Sequence, residues 1–112
     1  LSRKAVAWLD AARAAGELAC ADISLWEIAM LLERGRVQSP LPTEEFITKL
    51  CKALLLQIMP ITPKIAAAAQ SGSFRHGDPA DRLIAATAWV HNIELITADS
   101  ELRRLRLVRT LW

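Results

Sequence analysis

Residues 78–88 read DPADRLIAATA, and residues 93–99 read IELITAD. Asp78 is a favourable N-cap and Pro79 suits the first helical position, so the first stretch predicts a helix that runs to about Asn92. The second stretch is a short apolar run after that helix stop, which predicts a buried parallel strand. Acidic residues therefore stand at the start of the helix and at the end of the strand.

Asp81 lies in the first turn of the predicted helix. Ile84, Ala85 and Ala88 follow it at spacings of three, four and seven residues, which places them on one face of the helix. The carboxylate is thus predicted at the top of an otherwise apolar stripe that faces the core. Of the acidic residues in the chain, Asp81 has the weakest purely structural explanation.

Another acidic residue follows the predicted strand. Asp99 stands at its carboxyl end, two residues after Thr97. In parallel α/β sheets, ligands bind outside the carboxyl ends of the strands, and helix N-termini point into the same crevice. We therefore expect Asp81 and Asp99 to converge on one spot.

The rest of the chain alternates between the two kinds of element. Caps and apolar spacings predict further helices over residues 2–15, 24–34, 43–54, 63–70 and 100–105, and strands over residues 17–21, 56–61 and 107–111. An alternation of this kind predicts a parallel sheet with helices on both faces. Residues 1–112 contain no repeat or linker, which indicates a single domain.

Glu27 has two interpretations. Ser24 and Glu27 have the spacing of a capping box, in which the glutamate only closes the start of its own helix. Alternatively, Glu27 faces inward as a metal-binding carboxylate. Asp78 and Asp99 have equally simple explanations as helix N-caps. If several of these carboxylates meet, their repulsion requires a compensating cation, and Mg²⁺ or Mn²⁺ prefers oxygen ligands.

Composition limits which partners and which cellular compartment the sequence predicts. The 112 residues are 53% hydrophobic but include no apolar run of about 18 residues, so no membrane span is predicted. The net charge of +2 permits a nucleic-acid partner without requiring one. Several arginines lie close together near the C-terminal end. They form either a solvated helix face or a patch that binds phosphate. Cys20 and Cys51 have no metal-ligand spacing, which favours free thiols in a reducing cytoplasm.

Three blocks, SLWEIA at residues 24–29, the stretch 78–88 and LITAD at residues 95–99, resemble the successive motifs of PIN-domain proteins, specifically toxins of the VapC type. They occur in the family's order and cover nearly the whole chain. The resemblance implies a PIN-like three-layer α/β/α sandwich with a parallel sheet. The family opens with a strand that ends in an aspartate, so the resemblance also implies that this N-terminal strand is missing from residues 1–112.

The resemblance implies functional residues by position. Glu27, Asp81 and Asp99 match the acidic residues that bind Mg²⁺ or Mn²⁺ and carry out catalysis. Thr97 matches a supporting hydroxyl, while Asp78 and Arg82 match a motif that we interpret as capping and orienting the site. Candidate contacts to the RNA backbone are Arg75, Arg103, Arg104 and Arg106.

Two functions follow from this resemblance. The first is a cytoplasmic, metal-dependent endoribonuclease that hydrolyses RNA phosphodiesters, acts as a homodimer and is blocked by a cognate antitoxin. The second is a catalytically inactive PIN-like module that binds RNA or protein. A third interpretation does not depend on the resemblance: all the acids are helix caps in a small domain of another kind.

Overall fold

A computed structural model describes residues 3–74, 77–93, 95–96 and 110–111 of the chain. Its helices are α1 (Arg3–Ala15), α2 (Asp22–Glu33), α3 (Thr43–Leu54), α4 (Pro63–Gln70) and α5 (Pro79–His91). Its strands are β1 (Ala19–Ala21), β2 (Gln57–Met59), β3 (Leu95–Ile96) and β4 (Thr110–Leu111). A short 3₁₀ turn, Gly72–Phe74, lies between α4 and α5. Their order agrees with the predicted alternation; the helix predicted over residues 100–105 lies outside the described residues.

The strands pair in parallel, as the sequence predicts. β1 pairs with β2, with Cys20 opposite Ile58, and β3 pairs with β4, with Leu95 opposite Thr110. Each described strand is short, so the helices carry most of the ordered backbone. The predicted α/β class with parallel strands is confirmed.

Helix α5 begins and ends where the sequence predicts. Asp78 is its N-cap, Pro79 occupies the first turn, and Asn92 follows the last residue in the left-handed conformation at φ 52°. Asparagine tolerates this conformation better than most residues, and it closes the end of the helix through the backbone. The Asn92 N–H donates to the carbonyl oxygen of Trp89 at 3.1 Å.

One predicted helix start is wrong. α2 begins at Asp22, immediately after β1, and its N-cap is Ala21, so Ser24 and Glu27 do not form a capping box. The strand runs directly into the helix, which therefore starts before Ser24 is reached. α3 covers the predicted residues 43–54, but its N-cap is Pro42 and not Thr43, the residue whose type favours that position; the Thr43 hydroxyl donates to the Glu33 carboxylate on α2.

The core is built largely from alanine around α5. Ala86 packs with Ile65 and Ala69 of α4, and Ala85 and Ala88 pack with Phe74. These side chains are almost completely buried. The small methyl groups let α4 and α5 approach closely, which fixes the helix that carries Asp78 and Asp81. No helix in the described ranges has both the length and the apolar character needed to cross a bilayer.

Candidate active site

The start of α5 places two carboxylates side by side. Oδ1 of Asp78 accepts a hydrogen bond from the Asp81 backbone N–H at 2.8 Å, which is the usual cap geometry three residues into a helix. Gly77, just before the cap, has φ +76°. A β-carbon on Gly77 would lie 3.4 Å from Oδ2 of Asp81, so the carboxylate of Asp81 leans back over this glycine. The preceding loop therefore shapes the position of Asp81.

Helix α2 supplies the third carboxylate. α2 contacts α5, and Glu27 lies on the side of α2 that meets the start of α5. One carboxylate oxygen each of Glu27, Asp78 and Asp81 lies within 4.8 Å of the other two. Glu27 and Asp81 are half-buried, and Asp78 is exposed. The three side chains form a compact acidic cluster that is open to solvent on one side.

The cluster is electrostatically costly for Glu27. Partial burial raises the pKa of the Glu27 carboxyl above its ordinary value, and the nearby carboxylates of Asp81 and Asp78 raise the pKa further. Both causes disfavour the ionised form of a carboxyl group. The positive end of the α5 macrodipole offsets part of this repulsion at the cap. A bound cation would relieve the remainder.

Three oxygen donors of this kind suit a hard divalent cation. Mg²⁺ and Mn²⁺ prefer carboxylate ligands, and the charges of the ligands compensate that of the ion. Asp78 accepts the cap bond with Oδ1, which leaves Oδ2 available to an ion. The donor set therefore fits the metal that the sequence predicts.

The structure brings together two of the three acidic residues that the resemblance identifies, Glu27 and Asp81, and adds Asp78 to them. The capping role predicted for Asp78 is confirmed. Arg82 is half-buried in the first turn of α5, and its orienting role stays a prediction. The other predicted site residues lie outside the described residues: Arg75, Thr97, Asp99, Arg103, Arg104 and Arg106.

Asp22 is a residue that our sequence analysis missed. Its Oδ2 accepts a hydrogen bond from the Ile61 N–H at 3.0 Å, which ties the start of α2 to the segment after β2. Oδ1 of Asp22 is buried and has no hydrogen-bond partner within the described part of the chain. An aspartate directly after a predicted strand is the signal that would have identified it. Asp22 fixes the helix start five residues before Glu27.

A cavity of about 520 Å³ opens beside the acidic cluster, between α2 and α5. It is lined by Ile23, Trp26, Glu27, Met30, Arg34, Asp78, Pro79, Ala80 and Leu83. Glu27 and Asp78 belong both to the cavity wall and to the cluster. The indole of Trp26 stands at the cavity with 60% of the residue's surface exposed.

Comparison with known proteins places these features in a family. The family model described as PIN domain matches residues 1–107, a range that includes all three clustered carboxylates. The chain belongs to the PIN-domain family. This finding confirms the resemblance drawn from residues 24–29, 78–88 and 95–99, and with it the PIN-like fold class.

One curated relative of this PIN-domain chain is Ribonuclease VapC22 of Mycobacterium tuberculosis (strain ATCC 25618 / H37Rv). The two are 41% identical over 114 residues, which cover 98% of this chain and 85% of the relative. No solved structure matches the chain significantly. The relative confirms that the family resemblance is to the VapC type.

Proposed function

We propose that this PIN-domain chain is a metal-dependent endoribonuclease, the toxin of a toxin–antitoxin pair. The observation that carries the proposal is the meeting of Glu27, Asp78 and Asp81, whose carboxylate oxygens lie within 4.8 Å of one another. A relative with 41% identity is named a ribonuclease, which supports RNA as the substrate. The third interpretation, in which the acids are only helix caps, accounts for Asp78 but not for Glu27.

Glu27, Asp81 and Asp78 would hold Mg²⁺ or Mn²⁺, and we add Asp99 from the sequence motif. When bound, such an ion supplies an activated water and stabilises the negative charge that develops at the scissile phosphate. The protein positions the carboxylates that would hold the ion. The cap bond at Asp78 keeps Asp81 in register with Glu27, and half-burial removes part of the competing water from both carboxylates.

We assign the remaining predicted residues to supporting roles. Thr97 would hydrogen-bond within the site, and Arg82 would orient its neighbours. Arg75, Arg103, Arg104 and Arg106 would contact the RNA backbone, since phosphate contacts come largely from arginine and lysine. These assignments rest on the sequence motif and on charge.

The partners follow from the same family membership. We propose that a small antitoxin protein blocks the acidic cluster and that the pair acts in the cytoplasm. We also propose a homodimer, supported by the exposed apolar side chains of Leu55, Ile58 and Ile61 on and beside strand β2. Light scattering on the purified chain tests the dimer: a monomer at all concentrations up to the micromolar range would contradict it.

The test of the nuclease proposal uses Asp81→Asn, which preserves the shape of the side chain and removes its charge. Purified chain and variant are incubated with end-labelled unstructured RNA in Mn²⁺, in Mg²⁺ and in EDTA. We expect cleavage by the parent chain that EDTA abolishes and Mn²⁺ restores, and a loss of about 100-fold or more in the variant. Circular dichroism should be unchanged.

The matched control is Asp10→Asn, which makes the same change at an exposed position on α1. Cleavage by this variant should equal that of the parent, which also controls for contaminating nucleases. Equal cleavage by Asp81→Asn and the parent would refute the proposal. RNA binding without metal-dependent cleavage by the parent would favour the inactive RNA-binding module instead.

A further inference from the structure

The cavity between α2 and α5 has a composition that the acidic cluster does not explain. Beyond Glu27 and Asp78, its wall is mostly apolar, with Met30 and Leu83 among its residues, and it includes one cation, Arg34. Metal chemistry at the carboxylates needs neither an apolar wall nor a second charge. The cavity is therefore suited to something larger than the reacting phosphate.

Trp26 is the most exposed of the large hydrophobic residues that the structure describes, at 60%. It precedes Glu27 directly, and both residues line the cavity beside the acidic cluster. A large aromatic ring kept in water beside an active site loses the gain of burial unless a ligand covers it. Aromatic rings at such sites are typical stacking platforms for unpaired nucleobases.

Arg34 extends the site away from the cluster. It lies seven residues after Glu27, which corresponds to about 10 Å along the helix. Its side chain is exposed, and no ion pair with it occurs among the residues that the structure describes. A cation in the same cavity, displaced along the helix from the carboxylates, is complementary to a second phosphate of a bound strand.

We propose that this cavity binds an unpaired nucleobase of the RNA, the one next to the scissile phosphate, stacked on Trp26 with Arg34 on the adjoining backbone phosphate. The inference rests on the proposed function and adds a substrate requirement to it. A base in a duplex is stacked on both faces and cannot reach Trp26. Single-stranded or looped RNA is thus bound, and continuous duplex is not.

The first test is RNA binding without cleavage. The probe is a five-nucleotide RNA with a central 2-aminopurine, whose fluorescence falls on stacking, titrated with the chain in EDTA. Trp26→Ala should weaken binding about 5- to 100-fold and abolish the quenching. Trp26→Phe should restore most of both, because an aromatic face remains. Trp26 is largely exposed, so circular dichroism should be the same for all three proteins.

The control is Trp89→Leu, which removes another exposed tryptophan on the far part of α5. It should leave the affinity and the quenching unchanged. Unchanged RNA binding by Trp26→Ala would overturn the proposal. So would a Trp26→Ala chain that binds RNA normally but no longer binds an inhibitory protein or a second copy, because the cavity would then be a protein interface.

A second test isolates Arg34. Arg34→Gln should reduce the slope of log affinity against log salt concentration by about 0.7, the value for one phosphate contact on a single strand. Arg36→Gln changes an exposed arginine that does not line the cavity and should leave the slope as it is. An unchanged slope for Arg34→Gln would overturn the assignment of Arg34.

Failure of this inference can be distinguished from failure of the nuclease proposal. If the parent chain cleaves RNA and Asp81→Asn does not, while Trp26→Ala binds and cleaves normally, only the nucleobase site is wrong. If RNA binding depends on Trp26 but no metal restores cleavage, the nucleobase site stands and the nuclease proposal fails.

Discussion

Oδ1 of Asp78 lies 2.8 Å from the backbone nitrogen of Asp81 and accepts its hydrogen bond. The bond caps the N-terminus of helix α5 and, at the same time, brings two acidic side chains together there. Helix stability and the geometry of the acidic cluster therefore depend on one contact. Substitutions at Asp78 can separate the two roles.

Asp78→Asn should preserve the cap and impair the cluster. Asparagine caps a helix as well as aspartate, so the free energy of unfolding in EDTA should change by only a few tenths of a kcal/mol. Asp78→Ala removes the cap and should cost about 1 kcal/mol. Mn²⁺ affinity should fall in both variants. Urea denaturation and Mn²⁺ titration measure the two effects; Mn²⁺ affinity at the parent level in both would reduce Asp78 to a cap.

Glu27→Gln should stabilise the metal-free protein at neutral pH. The pKa of Glu27 is raised above 4.5 in the folded chain, so the native state binds this proton more tightly than the unfolded state. The free energy of unfolding therefore falls as pH rises from about 4.5 through the raised pKa. Glutamine does not ionise, so the variant does not lose stability over this pH range. In EDTA, the free energy of unfolding of the variant should exceed that of the parent at pH 7. The two values should be equal at pH values below the pKa that Glu27 has in the unfolded chain.

Divalent metal should make the parent chain more stable than Glu27→Gln. Mn²⁺ binds the native parent and adds to its stability in proportion to the logarithm of the metal concentration, whereas Glu27→Gln lacks one ligand. Thermal unfolding at several pH values, with and without Mn²⁺, measures both effects. Glu17→Gln, at an exposed position, is the control and should follow the parent throughout. A stability difference between Glu27→Gln and the parent that does not vary with pH would contradict the electrostatic explanation.

Asp22→Ala should free the Ile61 amide. The hydrogen bond from Ile61 to Oδ2 of Asp22 joins two segments 39 residues apart in the sequence. Without the acceptor, the Ile61 amide should exchange with solvent faster, and the protein should lose about 1 kcal/mol of stability. Asp22→Asn keeps an acceptor oxygen and should retain the protection. Hydrogen exchange followed by NMR measures it, and equal exchange in all three proteins would rule out the contact.

Ala86→Leu should disturb the packing of α4 against α5. Ala86 is fully buried against Ile65 and Ala69, so the added carbons must force the helices apart, at a cost of about 1–3 kcal/mol. Alanine and leucine have similar helix propensities, which excludes a backbone explanation. Ala67→Leu, exposed on α4, is the control and should change stability by less than about 0.5 kcal/mol. Denaturant unfolding compares the two variants with the parent chain. Equal midpoints would mean that the interface between α4 and α5 accommodates the leucine side chain without displacement.

The sequence predicts α5 well because its signals are local. Asp78 and Pro79 determine the start and Asn92 the end through the chemistry of a few adjacent residues, with no need for tertiary contacts. The strand after it and the parallel pairing follow from similarly short patterns. Elements of this kind are accessible to reasoning from propensity and caps.

The start of α2 shows where such reasoning fails. Ser24 and Glu27 have the spacing of a capping box, but the tertiary bond from Ile61 to Asp22 favours a helix that begins two residues earlier. The approach of Glu27 to Asp78 and Asp81 likewise depends on how α2 packs on α5. Spacing within one segment carries no information on that packing, so the family motif, and not the periodicity, placed Glu27 in the site.

The alanine face of α5 has a mechanical consequence. Methyl groups form low ridges, so α4 and α5 pack closely, and a larger side chain at this face would displace one helix against the other. The ring of Phe74 packs on the middle and last turns of α5, at Ala85 and Ala88, and the left-handed turn at Asn92 closes the same end of the helix. Asp78 and Asp81 stand at the opposite end of α5, so a shift of the helix on this packing would move both carboxylates relative to Glu27.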